Sequence, residues 1–295
     1  MNAPLPTGAS LWIAGARPKT LPAAIVPVAV GTAAVADDEF ILWRAIAALV
    51  VALALQVATN YANDYSDGVR GTDDDRVGPL RLVGSGAASP RAVKMAMLAS
   101  FAVAGVIGLA LSIAVNPWLL VVGAASIAAG WFYTGGSNPY GYLGLGEVFV
   151  FVFFGVVATV GSAFVQTESF SGVATVLSVP VGVFATALLV INNLRDRVGD
   201  EGAGKITLAV RMGDGATRRL FIGALVVAFA LIAAVAIVDD RLPLLLGLVG
   251  IVTAYPAVVI VRKGAVGRDL IPVLEATGRT QLVAGVAMTI GLLLG

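Results

Sequence analysis

The sequence predicts an all-α integral membrane protein: a bundle of nine transmembrane helices in one domain over residues 1–295, with the N-terminus inside and the C-terminus outside. Three observations predict it: composition, the spacing of apolar runs, and the placement of charge. The 295 residues are 58% hydrophobic and 13% charged, with a mean hydropathy of +0.93, where soluble domains carry about 45–50% apolar and about 25% charged residues. That leaves too little polar surface to cover a water-soluble particle. It argues against a cytosolic enzyme, a disordered chain or a nucleic-acid-binding module.

A helix needs roughly 20 apolar residues to cross a bilayer, or about 17 at the short end. Runs of that kind fall near 20–36, 41–60, 95–115, 118–134, 147–165, 173–192, 219–238, 242–261 and 280–294. The first carries Pro22 and Pro27, tolerated where a helix is buried in a bundle, and the last is short. Arg17 and Lys19 precede a run that continues too far for a cleaved signal peptide. The 35 glycines suit close helix packing in lipid. With these spans, all of the 19 Lys and Arg residues except Arg44 and Arg241 fall on the side of the N-terminus, while the opposite loops are short and mostly acidic. Basic loops stay in the cytoplasm. The inner loops near 64–94, 196–218 and 262–279 are long and charged, so the functional face is expected to be cytoplasmic.

There is no Cys and no His, which excludes disulfides, thiolate chemistry, imidazole bases and the usual zinc sets. Chemistry is left to carboxylates, amides, Lys, Arg, Tyr or a hard metal bound through oxygen. The inner ends of the second and sixth spans share a pattern. One reads Asn60-Tyr61-Ala62-Asn63-Asp64-Tyr65-Ser66-Asp67, the other Asn192-Asn193-Leu194-Arg195-Asp196-Arg197-Val198-Gly199-Asp200. Positions i, i+4 and i+7 or i+8 share a helix face. Asn60, Asp64 and Asp67 therefore form one stripe, and Asn192, Asp196 and Asp200 another. Carboxylates at membrane depth are costly unless paired or bound to a cation. Arg195 and Arg197 flank Asp196 but are expected to point about 100° away from it on the helix. Mg²⁺ on carboxylate oxygen resolves the conflict, and two facing pairs suggest two Mg²⁺ bridged by a diphosphate. The bland alternative is that these are polar helix ends and turns. Asp73-Asp74-Asp75 lies in a Gly- and Pro-containing loop and reads as a solvated turn.

These motifs resemble those of the UbiA-type membrane prenyltransferases. The segments Ala16-Arg17-Pro18-Lys19-Thr20-Leu21-Pro22, Tyr133-Thr134-Gly135-Gly136, Gly141-Tyr142-Leu143-Gly144-Leu145-Gly146-Glu147 and Gly204-Lys205-Ile206-Thr207-Leu208-Ala209-Val210-Arg211 are similar to the branch that uses 1,4-dihydroxy-2-naphthoate. The resemblance implies a nine-helix bundle around a cavity that opens sideways to lipid. It also implies Mg²⁺-dependent transfer of a prenyl chain from polyprenyl diphosphate to the naphthoate ring with loss of CO₂, in the plasma membrane of a prokaryote. Asp64, Asp67, Asp196 and Asp200 would hold Mg²⁺, with Asn60 and Asn192 completing or orienting the set and Asn193 beside them as a substrate contact. Lys205 and Arg81 would meet the diphosphate, with Arg195 as another contact, or else serve as topological anchors. Lys19 would meet the acceptor carboxylate or the diphosphate, or likewise signal orientation. Tyr65 and Tyr133 would stabilise an allylic cation or sit in an interfacial belt, and Gly135 and Gly136 would permit a turn. Rival readings are a related enzyme using 4-hydroxybenzoate or a phosphoribose acceptor, an alcohol phosphatidyltransferase, and a transporter. Asp67-Gly68-Val69-Arg70-Gly71-Thr72 breaks the phosphatidyltransferase pattern, and a transporter would carry its carboxylates near the bilayer midplane.

Overall fold

In the computed structural model, residues 6–72, 78 and 80–295 are described; the Asp73-Asp74-Asp75 segment lies outside them. Among the described residues the regular structure is all helix, without a strand. We number the main helices α1 (Ala9–Ala16), α2 (Pro22–Ala33), α3 (Leu42–Arg70), α4 (Pro90–Ala114), α5 (Trp118–Phe132), α6 (Gly146–Thr167), α7 (Gly172–Gly202), α8 (Leu208–Val238), α9 (Leu242–Arg262) and α10 (Gly267–Leu294). Seven of them, α3, α4 and α6 to α10, are long and apolar enough to cross a membrane. The shorter apolar helices α2 and α5 occupy the ranges of the other two expected spans.

Helix boundaries follow local chemistry. Ser89, Ser171 and Thr207 cap α4, α7 and α8, each side chain accepting from a backbone N–H three residues on. Pro22 sits in the first turn of α2, where no donor is lost, and Pro27 lies inside it. α3 stops at Gly71, whose left-handed φ of 71° suits a residue without Cβ.

α3 and α7 continue through both Asn/Asp motifs, as the helical stripes require, whereas α10 begins well before residue 280. Hydropathy undercounts its first turns because their polar groups are satisfied within the protein. In α10, Glu275 takes the Lys19 ammonium at 2.5 Å. α8 likewise starts at Leu208, and its first turns break at Gly213 (φ 75°, ψ 172°) before the long apolar run.

The core lies on the side of α2, α6, α7, α8 and α10, where Phe184, Phe221, Leu177, Ile191, Ile232 and Met288 are fully buried. α6 contains a π-helical stretch, Phe151–Val157, at its crossing with α7. There a Cβ on Gly155 would lie 2.5 Å from the Gly182 Cα, so the two backbones touch. α3, α4 and α5 form a second group, and α5 packs on α3 and α4 with hardly any contact to α6. That leaves a cleft between α5 and α6.

Gly155→Val should destabilise the protein by about 1–3 kcal/mol through forced helix separation. Gly105→Val, whose Cβ would meet nothing within 4 Å, should stay within about 0.5 kcal/mol. Thermal unfolding of both variants in detergent checks this, and equal midpoints would refute the packing role.

Candidate prenyl-transfer site at the polar end of the cavity

Between the two groups lies a cavity of about 310 Å³. One face of α3 lines it: Ala48, Val51, Ala52 and Leu55, then Gln56, Thr59, Asn60, Asn63 and Asp67. The face changes from apolar to polar toward the C-terminal end of the helix. Opposite it, α6 contributes Phe149, Phe153 and Phe154, and α7 contributes Leu188, Leu189 and Asn192. Arg17, Arg81 and Lys205 join Asp67 at the polar end.

Asp67 is the hub. Its Oδ1 accepts the Tyr142 hydroxyl at 2.8 Å, and its Oδ2 lies 3.4 Å from Arg81 Nη2 and 3.9 Å from Lys205 Nζ. The same ammonium is 3.7 Å from Asp200 Oδ1, so Lys205 bridges the C-terminal ends of α3 and α7. The Lys205 and Arg70 cations also lie over the Tyr142 ring, each 5.2 Å from its centre. Burial first, then the Asp67 charge, push the Tyr142 phenol up to about 12, so it is a protonated donor at neutral pH. Burial raises the Tyr140 phenol as well.

The other two aspartates are engaged differently. Asp64 is fully buried at the edge of the α3 face and turns to the following loop, where its two oxygens accept the Leu82 and Val83 N–H groups at 2.7 and 2.9 Å. It is absent from the cavity lining, whereas Asn63 takes part in it. The α3 stripe on the cavity is thus Asn60, Asn63 and Asp67. Asp196 is gripped by Arg195, with Nε and Nη2 each 2.7 Å from its oxygens, while Nη2 also donates to Asn192 Oδ1 at 2.9 Å. The expectation that Arg195 points away from Asp196 is therefore corrected. Helical spacing sets where Cβ points, but the long arginine side chain folds back because a buried carboxylate needs a counter-charge. Gly78 lies against this guanidinium, 3.3 Å from where a Cβ would stand.

Asn60 and Asn192 both line the cavity, but the Asn60 amide donates to Ala16 O at 2.8 Å and Thr20 Oγ1 at 3.1 Å, which pins the turn before α2. Asn193 donates to Glu147 Oε1 at 2.9 Å behind the cavity wall. Lys19 is exposed, paired with Glu275 and outside the lining. The neighbouring Arg17 occupies the cavity side instead, in a left-handed conformation with φ 54°. Such a φ costs an L-residue about 1–2 kcal/mol and is set here by the turn that Asn60 and Gln56 hold. Tyr133 lines the cavity and starts an aromatic column through Tyr140, Phe149 and Phe153, with ring centres 5.5, 3.9 and 6.1 Å apart. Tyr65 instead stacks on Trp131 under Lys94. Gly136 adopts a φ of 78° in the turn after α5, and Arg70 donates to the carbonyls of Thr134 and Gly136.

Arg17, Asn63 and Tyr142 are the residues that spacing alone missed. Arg17 and Tyr142 lie in quoted segments, but a turn and a loop place them, which helical periodicity does not describe.

A model of the UbiA prenyltransferase family matches residues 24–269. The chain belongs to the UbiA prenyltransferase family. Among its relatives, the 1,4-dihydroxy-2-naphthoate octaprenyltransferase of Mycobacterium tuberculosis is 49% identical over 96% of this chain and 97% of that protein. The protein of the same name in Escherichia coli is 40% identical over 73% of this chain and 74% of that one. The fold is shared with a UbiA homologue of Archaeoglobus fulgidus bound to DMAPP and Mg²⁺, at TM-score 0.68 and 16% identity, covering 96% of this chain and 99% of that one. It is also shared with the apo UbiA homologue of Aeropyrum pernix K1, at TM-score 0.68 and 17% identity, covering 92% and 96%.

The donor chemistry around Lys205 fits a hard cation. Two carboxylates on different helices converge on one positive charge at distances longer than hydrogen bonds. Among the described residues no three acidic groups cluster.

Arg195→Ala should destabilise the protein by roughly 3 kcal/mol or more, because it strips a buried carboxylate of its guanidinium. Adding Asp196→Ala should restore most of that loss; calorimetric unfolding of both variants checks it. The protonated Tyr142 phenol contributes stability that is complete below pH 10 and lost as the pH rises through about 12. Tyr142→Phe should flatten that alkaline limb of an unfolding-versus-pH curve.

Proposed function

We propose that this protein transfers a polyprenyl group from polyprenyl diphosphate to 1,4-dihydroxy-2-naphthoate, with loss of diphosphate and CO₂, as a step of menaquinone biosynthesis. One observation carries the reading: an apolar cavity ends in a buried Asp67–Lys205–Asp200 bridge with Arg81 and Arg17 beside it. An apolar tail with an anionic head matches that polarity. The names of the mycobacterial and enterobacterial relatives supply the acceptor.

We place the cavity's polar end at the cytoplasmic face of a prokaryotic inner membrane, with nine spans, N-in and C-out, as one transmembrane unit. Supporting this, nearly all Lys and Arg lie at the helix ends that carry the site.

Asp67 and Asp200 would hold Mg²⁺ with diphosphate oxygens and water, and Asp64 and Asp196 would adjoin them through the Leu82–Val83 loop and Arg195. When bound, Mg²⁺ neutralises charge that develops on the leaving diphosphate. Lys205 and Arg81 donate to the diphosphate oxygens as the C–O bond to the prenyl carbon breaks. The apolar walls keep water from the allylic cation, and the Tyr133 and Tyr140 ring faces border it. The ring carbon bearing the carboxylate forms the new C–C bond, and the electron pair of the C–CO₂ bond restores the ring as CO₂ departs. Arg17, with Asn60 and Asn192 alongside, is the cation placed to meet the acceptor carboxylate, the part first assigned to Lys19.

Asp67→Asn and Lys205→Ala should each lower prenyl transfer by about a hundredfold or more while the protein stays folded, and EDTA should abolish wild-type turnover until Mg²⁺ is restored. Asp64→Ala should lose activity and stability together, because the loop bearing Leu82 and Val83 is released. An acceptor panel with product mass analysis and CO₂ release checks the chemistry. Full activity of Asp67→Asn, or a preference for 4-hydroxybenzoate, would refute the assignment.

A further inference from the structure

The polar end of the cavity is accounted for above; its far end is not. On α3 the lining runs from Asp67 back to Ala48, ~28 Å at 1.5 Å per residue. There Leu111 of α4 and Val165 of α6 are buried with Ala47, and Val51 and Leu119 pack on them. This cluster forms a floor. Four glycines line the cavity. Gly130 on α5 packs against Thr59, 2.8 Å from where its Cβ would stand, and the other three lie one on each of three helices between the floor and the polar end: Gly108 on α4, Gly123 on α5 and Gly161 on α6.

These are not packing glycines. A Cβ on Gly31, Gly155 or Gly285 would stand within 2.5 Å of a neighbouring helix, whereas a Cβ on Gly108, Gly123 or Gly161 would meet nothing within 4 Å. None of the three has a positive φ. Glycine inside a helix costs about 0.5–1 kcal/mol relative to alanine, and here neither backbone contact nor turn geometry offsets it. What the three positions share is the space they leave in one cavity. Gly123 and Gly161 also sit on α5 and α6, the two helices separated by the cleft.

We infer that Gly108, Gly123 and Gly161 are specificity-determining residues for the prenyl tail: the room left by their missing side chains takes the distal isoprene units of a long-chain donor. This inference rests on the prenyl-transfer reading. Shorter donors end before reaching these positions, so the glycines separate long from short tails without touching the reacting atoms.

The test compares octaprenyl diphosphate with geranyl diphosphate as donors for purified wild type, Gly123→Leu, Gly161→Leu, the milder Gly161→Ala, and Gly105→Leu. Gly105 lies on α4 one turn before Gly108, is equally open, and is outside the cavity lining. In the two cavity leucine variants the long-to-short ratio of kcat/KM should fall roughly tenfold or more, mostly through KM for the long donor, because tail contacts act equally in ground and transition states. Gly161→Ala should fall less, and Gly105→Leu should keep the wild-type ratio. An unchanged ratio, or equal losses with both donors, overturns the inference alone. Wild-type protein that turns over neither donor overturns the prenyl-transfer reading and the inference with it.

Discussion

Lys205 holds one ammonium between carboxylates of two helices, Asp67 on α3 and Asp200 on α7, at the polar end of an apolar cavity. Charges there are removed from bulk water, so attraction and repulsion are both stronger than at a surface. One cation serves the C-terminal ends of both α3 and α7. The loop carrying Lys205 is drawn onto the site, and its next residue, Ile206, donates its N–H to the Tyr142 carbonyl at 3.2 Å. The loop after α5 is tied in by the same residue, because Tyr142 donates its hydroxyl to Asp67. Three chain segments far apart in sequence are thereby held around one charge pair.

The four aspartates then divide into two roles for a physical reason. A buried carboxylate needs a partner for each oxygen. Asp64 finds it in backbone N–H groups and Asp196 in a guanidinium, and both partners are rigid. Asp67 and Asp200 share the Lys205 ammonium at 3.7–3.9 Å, and Asp67 also accepts the Tyr142 hydroxyl at 2.8 Å. In the proposed reaction, Asp67 and Asp200 are the pair that Mg²⁺ and the diphosphate would engage, with Lys205 turning to phosphate oxygens. Asp64 and Asp196 instead fix the loop after α3 and the end of α7.

Much of this was legible beforehand, and the limits are instructive. Apolar runs located every long helix, because burial of apolar surface in lipid is a property of composition. They misjudged where α10 starts, because hydropathy cannot register polar residues that pair with a partner elsewhere in the chain, as Glu275 does with Lys19. Helical spacing marked both Asn/Asp motifs and put Asp67 on the cavity face. It placed Asp64 on the same face, although only about 40° on the helical wheel separates that face from the loop side, and it aimed Arg195 away from the carboxylate it grips. Wheel positions describe Cβ directions; long side chains and supporting loops decide the rest.

The sequence by itself determined the class of protein, the chemistry open to it and the family. Those follow from residue types and their spacing, which are local properties: too few charges for water, no His or Cys, and two repeated Asn/Asp patterns. Only the tertiary structure decided which polar groups share a cavity. It exchanged Lys19 for Arg17, brought in Asn63 and Tyr142, and sent Asn193 behind the wall to Glu147. It also separated glycines that join helices from those that leave room in the cavity. These are questions of proximity between residues distant in the chain. Such proximity is set by helix packing and by the need of each buried polar group for a partner.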